Sequence, residues 1–304
     1  MTAARAESPS SPSPRRALIV SHGQPSDPGP AEAALTHFAA QVVARLPANW
    51  SVEAATLAAP GALKAALARS AGCDGPLLIY PMFIADGWFT QINLPARIRA
   101  AGIAVLAPSP GGAPGSEGGS DAEPMVAAAP VAGHAAPGIL PHLPAPARVS
   151  TGGAAQILPP FGLDPGILPL ALRALRRALD DGGLRAADTG LMVAAHGSFK
   201  SRAPAMVARR LARAIIAELP FAEMRTAFID QAPQIAASAR GLPVPALCLP
   251  LFAAAGGHVE EDLPAALAEA GFTGRILAPL GLAPDAPDLV AGALLATSVE
   301  SGGR

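Results

Sequence analysis

Apolar residues in this chain fall into short continuous runs separated by stretches with helical spacing. Ala17–Ser21, Trp50–Leu57, Leu77–Phe83 and Ile103–Ala107 read as strands, with helices over Ala31–Leu46, Gly61–Ser70 and Leu94–Ala101 between them. In the first helix, Ala34, Leu35, Phe38, Val42 and Leu46 share one face. A helix over Leu168–Asp180 leads into a second series. There, strands at Gly190–Ala195, Met224–Ile229, Pro245–Phe252 and Gly274–Ala278 alternate with helices at Ala203–Leu219, Ala232–Arg240 and Pro264–Ala270. Alternation of this kind predicts an α/β fold with parallel sheets and right-handed crossovers.

The two series are in register. YPMFIADGWFTQINLP at Tyr80–Pro95 aligns without a gap on LPLFAAAGGHVEEDLP at Leu249–Pro264. Pro81, Phe83, Gly87, Leu94 and Pro95 then fall on Pro250, Phe252, Gly256, Leu263 and Pro264. His22 precedes His196 by 174 residues, Pro60 precedes Pro233 by 173, and Pro81 precedes Pro250 by 169. This register implies tandem duplication of a half-unit. Further on, ILPPFGLDP at Ile157–Pro165 precedes ILAPLGLAP at Ile276–Pro284 by only 119 residues, so the first half carries about fifty extra residues. They fall in the Gly/Pro/Ala-rich stretch 109–153, which reads as a disordered insertion, as the Ser/Pro-rich tail 1–15 reads as disordered. The expected organisation is a first lobe from 16–108 with 154–180, and a second lobe over 188–298.

Composition narrows the function classes. With 22 basic and 23 acidic side chains, neither nucleic acid nor a membrane surface is an expected partner. No apolar run approaches the ~20 residues that span a bilayer, and Ala17–Val20 is too short for a signal-peptide core. Cys73 and Cys248 stand far apart and outside any CxxC pattern, as buried thiols of a reducing compartment do. A soluble, cytoplasmic protein is expected. His134 and His142 lie in the insertion as solvated bystanders, and His37 lies mid-helix.

The remaining histidines sit where strands end. His196 follows the first strand of the second half, Asp230 the second, and His258 the third, all on the carboxyl-end rim where open α/β sheets bind ligands. Two imidazoles and a carboxylate suit Co²⁺, Fe²⁺, Ni²⁺ or Zn²⁺, and donors from separate loops can leave a coordination position open. His22 occupies the equivalent position in the first half. An isolated histidine after a strand also serves as a structural hydrogen-bonding group. Glu260, Glu261 and Asp262 fit two roles, a favourable acidic first turn or proton acceptors and guides for a cation.

HGS at His196–Ser198, AFIDQAPQI at Ala227–Ile235 and PLFAAAGGHVEEDLP at Pro250–Pro264 resemble the class II tetrapyrrole chelatases, the family of sirohydrochlorin cobaltochelatase and sirohydrochlorin ferrochelatase. The resemblance covers the second half and, more weakly, residues 17–107 and 154–175. It implies two flavodoxin-like lobes facing one another over a cleft, and a lyase of cobalamin or sirohaem biosynthesis. His196 and His258 match the family's metal-binding histidines, and Asp230 falls where the family has an acidic residue, commonly Glu. These three are the catalytic candidates. The divalent metal, Co²⁺ or Fe²⁺ with Ni²⁺ as a further option, is a substrate. No organic cofactor is expected, and no P-loop pattern is present.

Ser198, Lys200, Ser201 and Arg202, at the start of a helix, are expected to receive the carboxylates of the tetrapyrrole. His22, Trp88 and Phe89 are expected to line the opposite wall. The first half departs from the pattern: Gln24 replaces Ser198, Leu57 replaces Asp230 and Phe89 replaces His258. One asymmetric metal site is therefore expected, served by a degenerate first half. The fused halves make a monomer sufficient, and the insertion is a candidate docking segment for other tetrapyrrole-pathway enzymes. A non-catalytic tetrapyrrole- or metal-binding protein derived from a chelatase is the competing reading.

Overall fold

A computed structural model describes residues 13–70, 75–106 and 153–301. The first half runs β1 (Arg15–Ser21), α1 (Pro28–Val43), β2 (Trp50–Thr56), α2 (Ala62–Arg69), β3 (Leu77–Pro81), α3 (Leu94–Ala100), β4 (Ala104–Val105), β5 (Ala154–Ile157) and α4 (Ile167–Gly182). The second runs β6 (Gly190–Ala195), α5 (Ala203–Glu218), β7 (Glu223–Phe228), α6 (Ile235–Ala239), β8 (Ala246–Leu251), α7 (Leu263–Glu269), β9 (Arg275–Ile276) and α8 (Ala286–Ser301). Two sheets result, in the orders β2-β1-β3-β5-β4 and β7-β6-β8-β9, and every pairing is parallel.

Strands β3, β6 and β8 are buried along their whole length, which explains why they read as unbroken apolar runs. Alternate residues go to different cores. Ile19 and Tyr80 of the first sheet join Val193, Leu249 and Leu251 of the second in one shared core, filled by α1, α4, α5 and α8. Leu18, Val20, Leu77 and Ile79 face the other way, onto α2 and α3. Met192, Ala194 and Cys248 do the same in the second lobe, onto α6 and α7. Each lobe is therefore an α/β/α sandwich, and the inner helices of both fuse into one hydrophobic interior.

The two lobes differ at one edge. The repeat ILPPFGLDP/ILAPLGLAP equates β5 with β9, so β4 has no counterpart in the second sheet. The chain leaves the first sheet from its edge strand β4 and returns through β5, which slots between β3 and β4. Residues 107–152, with His134 and His142, and Cys73 lie outside the described residues. Strand β5 was not legible because its four residues, AAQI, follow an alanine-rich stretch without periodicity. Helix α8 gave no signal for the opposite reason. It is apolar nearly all round, as suits a helix with Ala286, Leu289, Val290 and Leu294 in the shared core.

Candidate metal centre

Five loops at the carboxyl ends of β1, β3, β6, β7 and β8 carry the candidate chemistry. His196 follows β6 directly, and its carbonyl accepts from Asp230 N at 2.9 Å, which ties the loop after β6 to the loop after β7. Gly197 has a φ of +74°, and a Cβ there would lie 2.7 Å from Gln231 Cγ. Only glycine fits both the turn and the space. The His196 ring turns its Nδ1 to the Gly197 carbonyl at 3.0 Å, with Asp230 Oδ2 at 3.5 Å.

His258 opens a π-helical turn over His258–Asp262 that runs into α7. A cause lies in Pro264, which has no N–H and crowds the carbonyl four residues back, so the preceding turn widens. The first half has the same wide turn at Phe89–Asn93, ahead of Pro95. The His258 Nδ1 lies 2.7 Å from Asp262 Oδ2, one helical turn ahead. Both contacting groups, the Gly197 carbonyl and the Asp262 carboxylate, are acceptors, so the neutral form of each ring carries its proton on Nδ1 and presents a lone pair on Nε2.

The His196 and His258 rings meet edge to face with centroids 4.2 Å apart and an interplanar angle of 87°. At metal–nitrogen distances of about 2.1 Å, two rings this close can share one ion. Among the described residues no three His, Cys, Asp or Glu side chains gather into a closed cluster. The arrangement is thus two imidazoles, with the Asp230 carboxylate beside one of them. A pair of protein donors leaves most of an ion's coordination positions for another ligand.

The first half repeats this geometry with different chemistry. His22 Nδ1 lies 2.9 Å from the Gly23 carbonyl, and its ring meets Phe89 edge to face at 4.6 Å and 88°. Phe89 takes the place of His258 with the same edge-to-face arrangement but offers no lone pair. Trp88 packs on Phe89 at 5.0 Å and Phe83 stacks on it at 6.1 Å, so this half presents an aromatic wall. The halves meet at these loops: Gln24 Oε1 lies 3.8 Å from the position a Cβ would take on Gly256, just ahead of His258.

The loop after β6 is braced by its own hydrogen bonds. Ser198 N donates to Gln231 Oε1 at 2.9 Å, Lys200 N to Ser198 Oγ at 3.1 Å, and Ala203 N to Ser201 Oγ at 3.2 Å. Lys200, Ser201 and Arg202 are exposed there. Beneath the His258 loop, Gly281 N donates to the Phe252 carbonyl at 2.9 Å, and a Cβ on Gly281 would sit 2.0 Å from the Ala253 carbonyl oxygen. Sequence reasoning did not pick out Asp262 as the partner of His258. The signal available was its spacing, four residues on along a helix.

Away from this rim, the Tyr80 hydroxyl donates to Asp164 Oδ2 at 3.0 Å, and Asp164 Oδ1 accepts from Gly166 N at 2.8 Å. Burial raises the Asp164 carboxyl above its ordinary range against the pull of these hydrogen bonds, and burial beside Asp164 raises Tyr80 well above its own. Burial likewise pushes the Cys248 thiol up to about 12, the state of an inert core cysteine.

A family model described as CbiX matches residues 190–295. The solved structure of CbiX, described as the terminal enzyme for biosynthesis of siroheme in denitrifying bacteria, is 39% identical to this chain, with 93% of this chain and 99% of that one covered and a TM-score of 0.69. The chain belongs to the CbiX family of class II chelatases. Two more distant structures share the fold. DR2241 of Deinococcus radiodurans, a multi-domain protein with structural similarity to chelatases, is 17% identical with a TM-score of 0.63, over 92% of this chain and 55% of that one. SirB of Bacillus subtilis, solved with Fe³⁺, is 13% identical with a TM-score of 0.61, over 96% of this chain and 98% of that one. No curated protein matches the chain. The two α/β lobes, each a parallel sheet flanked by helices, are as the sequence resemblance implied. Among the described residues no helix is long and apolar enough to cross a membrane.

Proposed function

We propose that this chain inserts a divalent metal, Fe²⁺ foremost, into sirohydrochlorin or a closely related carboxylated tetrapyrrole. The observation that carries the reading is the His196–His258 pair, two imidazoles at 4.2 Å whose proton-bearing Nδ1 atoms are already engaged. Iron is favoured over cobalt because the 39% identical relative is described as acting in siroheme biosynthesis.

In this reading His196 and His258 hold the incoming metal through Nε2, and the macrocycle enters the positions they leave open. As the metal passes to the pyrrole nitrogens, two N–H protons leave the ring, one to Asp230 beside His196 and one to an imidazole that has released the metal. Ser198, Lys200, Ser201 and Arg202 take the peripheral carboxylates. His22, Trp88 and Phe89 form the facing wall. The halves, 16–108 with 154–180 and 188–298, are copies of one ancestral unit, supported by the paired wide turns and His–Gly turns of both. In this account only the second copy keeps a metal-handling imidazole pair, the fused cleft needs no second chain, and the protein works in the cytoplasm.

The test is an insertion assay that follows the spectrum of metal-free sirohydrochlorin with Fe²⁺ or Co²⁺. Wild type should metallate it faster than the buffer control, and faster with Fe²⁺, while His258→Ala and His196→Ala fall to the control rate. A wild-type rate equal to the control, despite tight macrocycle binding, would leave a binding protein derived from a chelatase.

A further inference from the structure

The loop after β6 exposes a residue for which neither the fold nor the metal pair has a use. Phe199 is 82% exposed, although the backbone around it is pinned by the three hydrogen bonds described above. Phenylalanine is seldom left so bare, and a braced loop holds it there rather than letting it fold inward. Trp88, on the first lobe, is 57% exposed with its ring edge against Phe89.

The relation between the lobes bears on where these two residues stand. Helix α1 of the first lobe packs on α8 of the second, and α5 of the second packs on α4 of the first. Each lobe's first helix thus meets the other lobe's last, the reciprocal pattern of a two-fold axis. One loop approach across that axis is visible: Gln24 Oε1 lies 3.8 Å from where a Cβ on Gly256 would be. In the register of the repeat, Gln24 corresponds to Ser198 and Gly256 to Gly87. The axis therefore sets the Ser198–Phe199 segment opposite Gly87–Trp88. One residue beyond that approach, the corresponding positions are Pro25 and Gly257, so of the two symmetry-related pairs of positions only Phe199 and Trp88 are aromatic.

Given the tetrapyrrole reading above, on which this rests, we infer that Phe199 and Trp88 form a two-sided aromatic clasp for the faces of the macrocycle. A tetrapyrrole carrying carboxylates is flat and apolar across its faces and anionic around its rim. Phe199 supplies the first kind of contact, and its exposed neighbours Lys200 and Arg202 supply the second from the same loop. The clasp selects for the macrocycle and holds it through this one aromatic pair, beside the metal pair. It takes no part in metal binding.

The experiment titrates the full chain with metal-free sirohydrochlorin by absorbance, without metal, and separately titrates it with Co²⁺. Phe199→Ala and Trp88→Ala should each weaken macrocycle binding roughly tenfold. Phe199→Tyr should restore it, and the Co²⁺ affinity of every variant should stay at the wild-type value, which also shows that each is folded. Wild type that binds sirohydrochlorin, with both alanine variants binding it equally well, would overturn the clasp and leave the chelatase reading intact. Wild type that binds none would overturn the chelatase reading and the clasp with it.

Discussion

At the scale of single residues, the candidate centre depends on which nitrogen of each imidazole is free. Asp262 accepts from His258 Nδ1 at 2.7 Å and thereby fixes both the tautomer and the tilt of the ring. Outer partners of this kind contribute about 10–100-fold in metal affinity, so Asp262→Ala should weaken Co²⁺ binding by that factor and Asp262→Asn, which keeps an acceptor oxygen, by less. Titration followed by the visible spectrum of bound Co²⁺ reads both. Asp164 makes a separate prediction about stability. Its carboxyl titrates higher in the folded protein than in the unfolded chain, so the folded state keeps a proton the unfolded state has released. Its contribution to stability is accordingly greatest below the ordinary carboxylate value of about 4 and declines as pH rises through the raised one. Asp164→Asn removes the buried charge and can still bond both Tyr80 and Gly166. Urea unfolding across pH 4–8 should show that variant losing less stability with rising pH than wild type.

At the scale of elements, the turns before α3 and α7 are equivalent in backbone and opposite in chemistry. A wide turn followed by proline delivers Phe89 in one lobe and His258 in the other, each edge to face with the histidine that follows the neighbouring strand. Beneath the His258 turn, the Ala253 carbonyl rests directly on Gly281. Gly281→Ala cannot be absorbed by a rotamer change, because the clash is with backbone. It should cost about 1–3 kcal/mol in urea unfolding and, by shifting the 253–257 segment, weaken Co²⁺ binding as well. Unchanged metal affinity in a destabilised variant would show that this contact supports the fold alone.

At the scale of the whole molecule, a shared core and a few ionic contacts join the lobes. Asp285, ahead of α8, receives Arg173 and Arg177 from α4, and Arg45 reaches Asp288 in α8 at 2.7 Å. Partial burial pushes the Asp285 carboxyl up, but the hydrogen bonds and charges of Arg177 and Arg173 outweigh it and hold the group below its ordinary range. Its contribution is therefore present above the ordinary carboxylate value and is lost as pH falls through the lowered one. These arginines are half exposed, so Asp285→Ala should cost only about 0.5–1 kcal/mol near neutral pH, and nothing in strong acid. Calorimetry at both pH values measures it. The shared apolar core accounts for most of the attachment between lobes, and both halves should melt in one transition.

By itself, the sequence determined the strands and helices with strong periodicity, their parallel order, the matching motifs of the two halves, and the positions of the two imidazoles after strands. These are local facts: a covered parallel strand must be apolar along its length, and a glycine must follow His22 and His196 to make the turn. It also showed that Phe89 replaces His258, since the alignment has no gap. Tertiary structure alone decided the rest. Strand β5 and helix α8 are defined by what surrounds them, one by its slot between β3 and β4 and the other by the shared core that Ala286, Leu289, Val290 and Leu294 enter. The approach of His196 to His258, the choice of Asp262 as an imidazole's partner, and the meeting of Gln24 with Gly256 join residues far apart in the chain or turned by a helical step. Their distances are set by how two sheets pack across a common core, and no run of neighbouring residues records that packing.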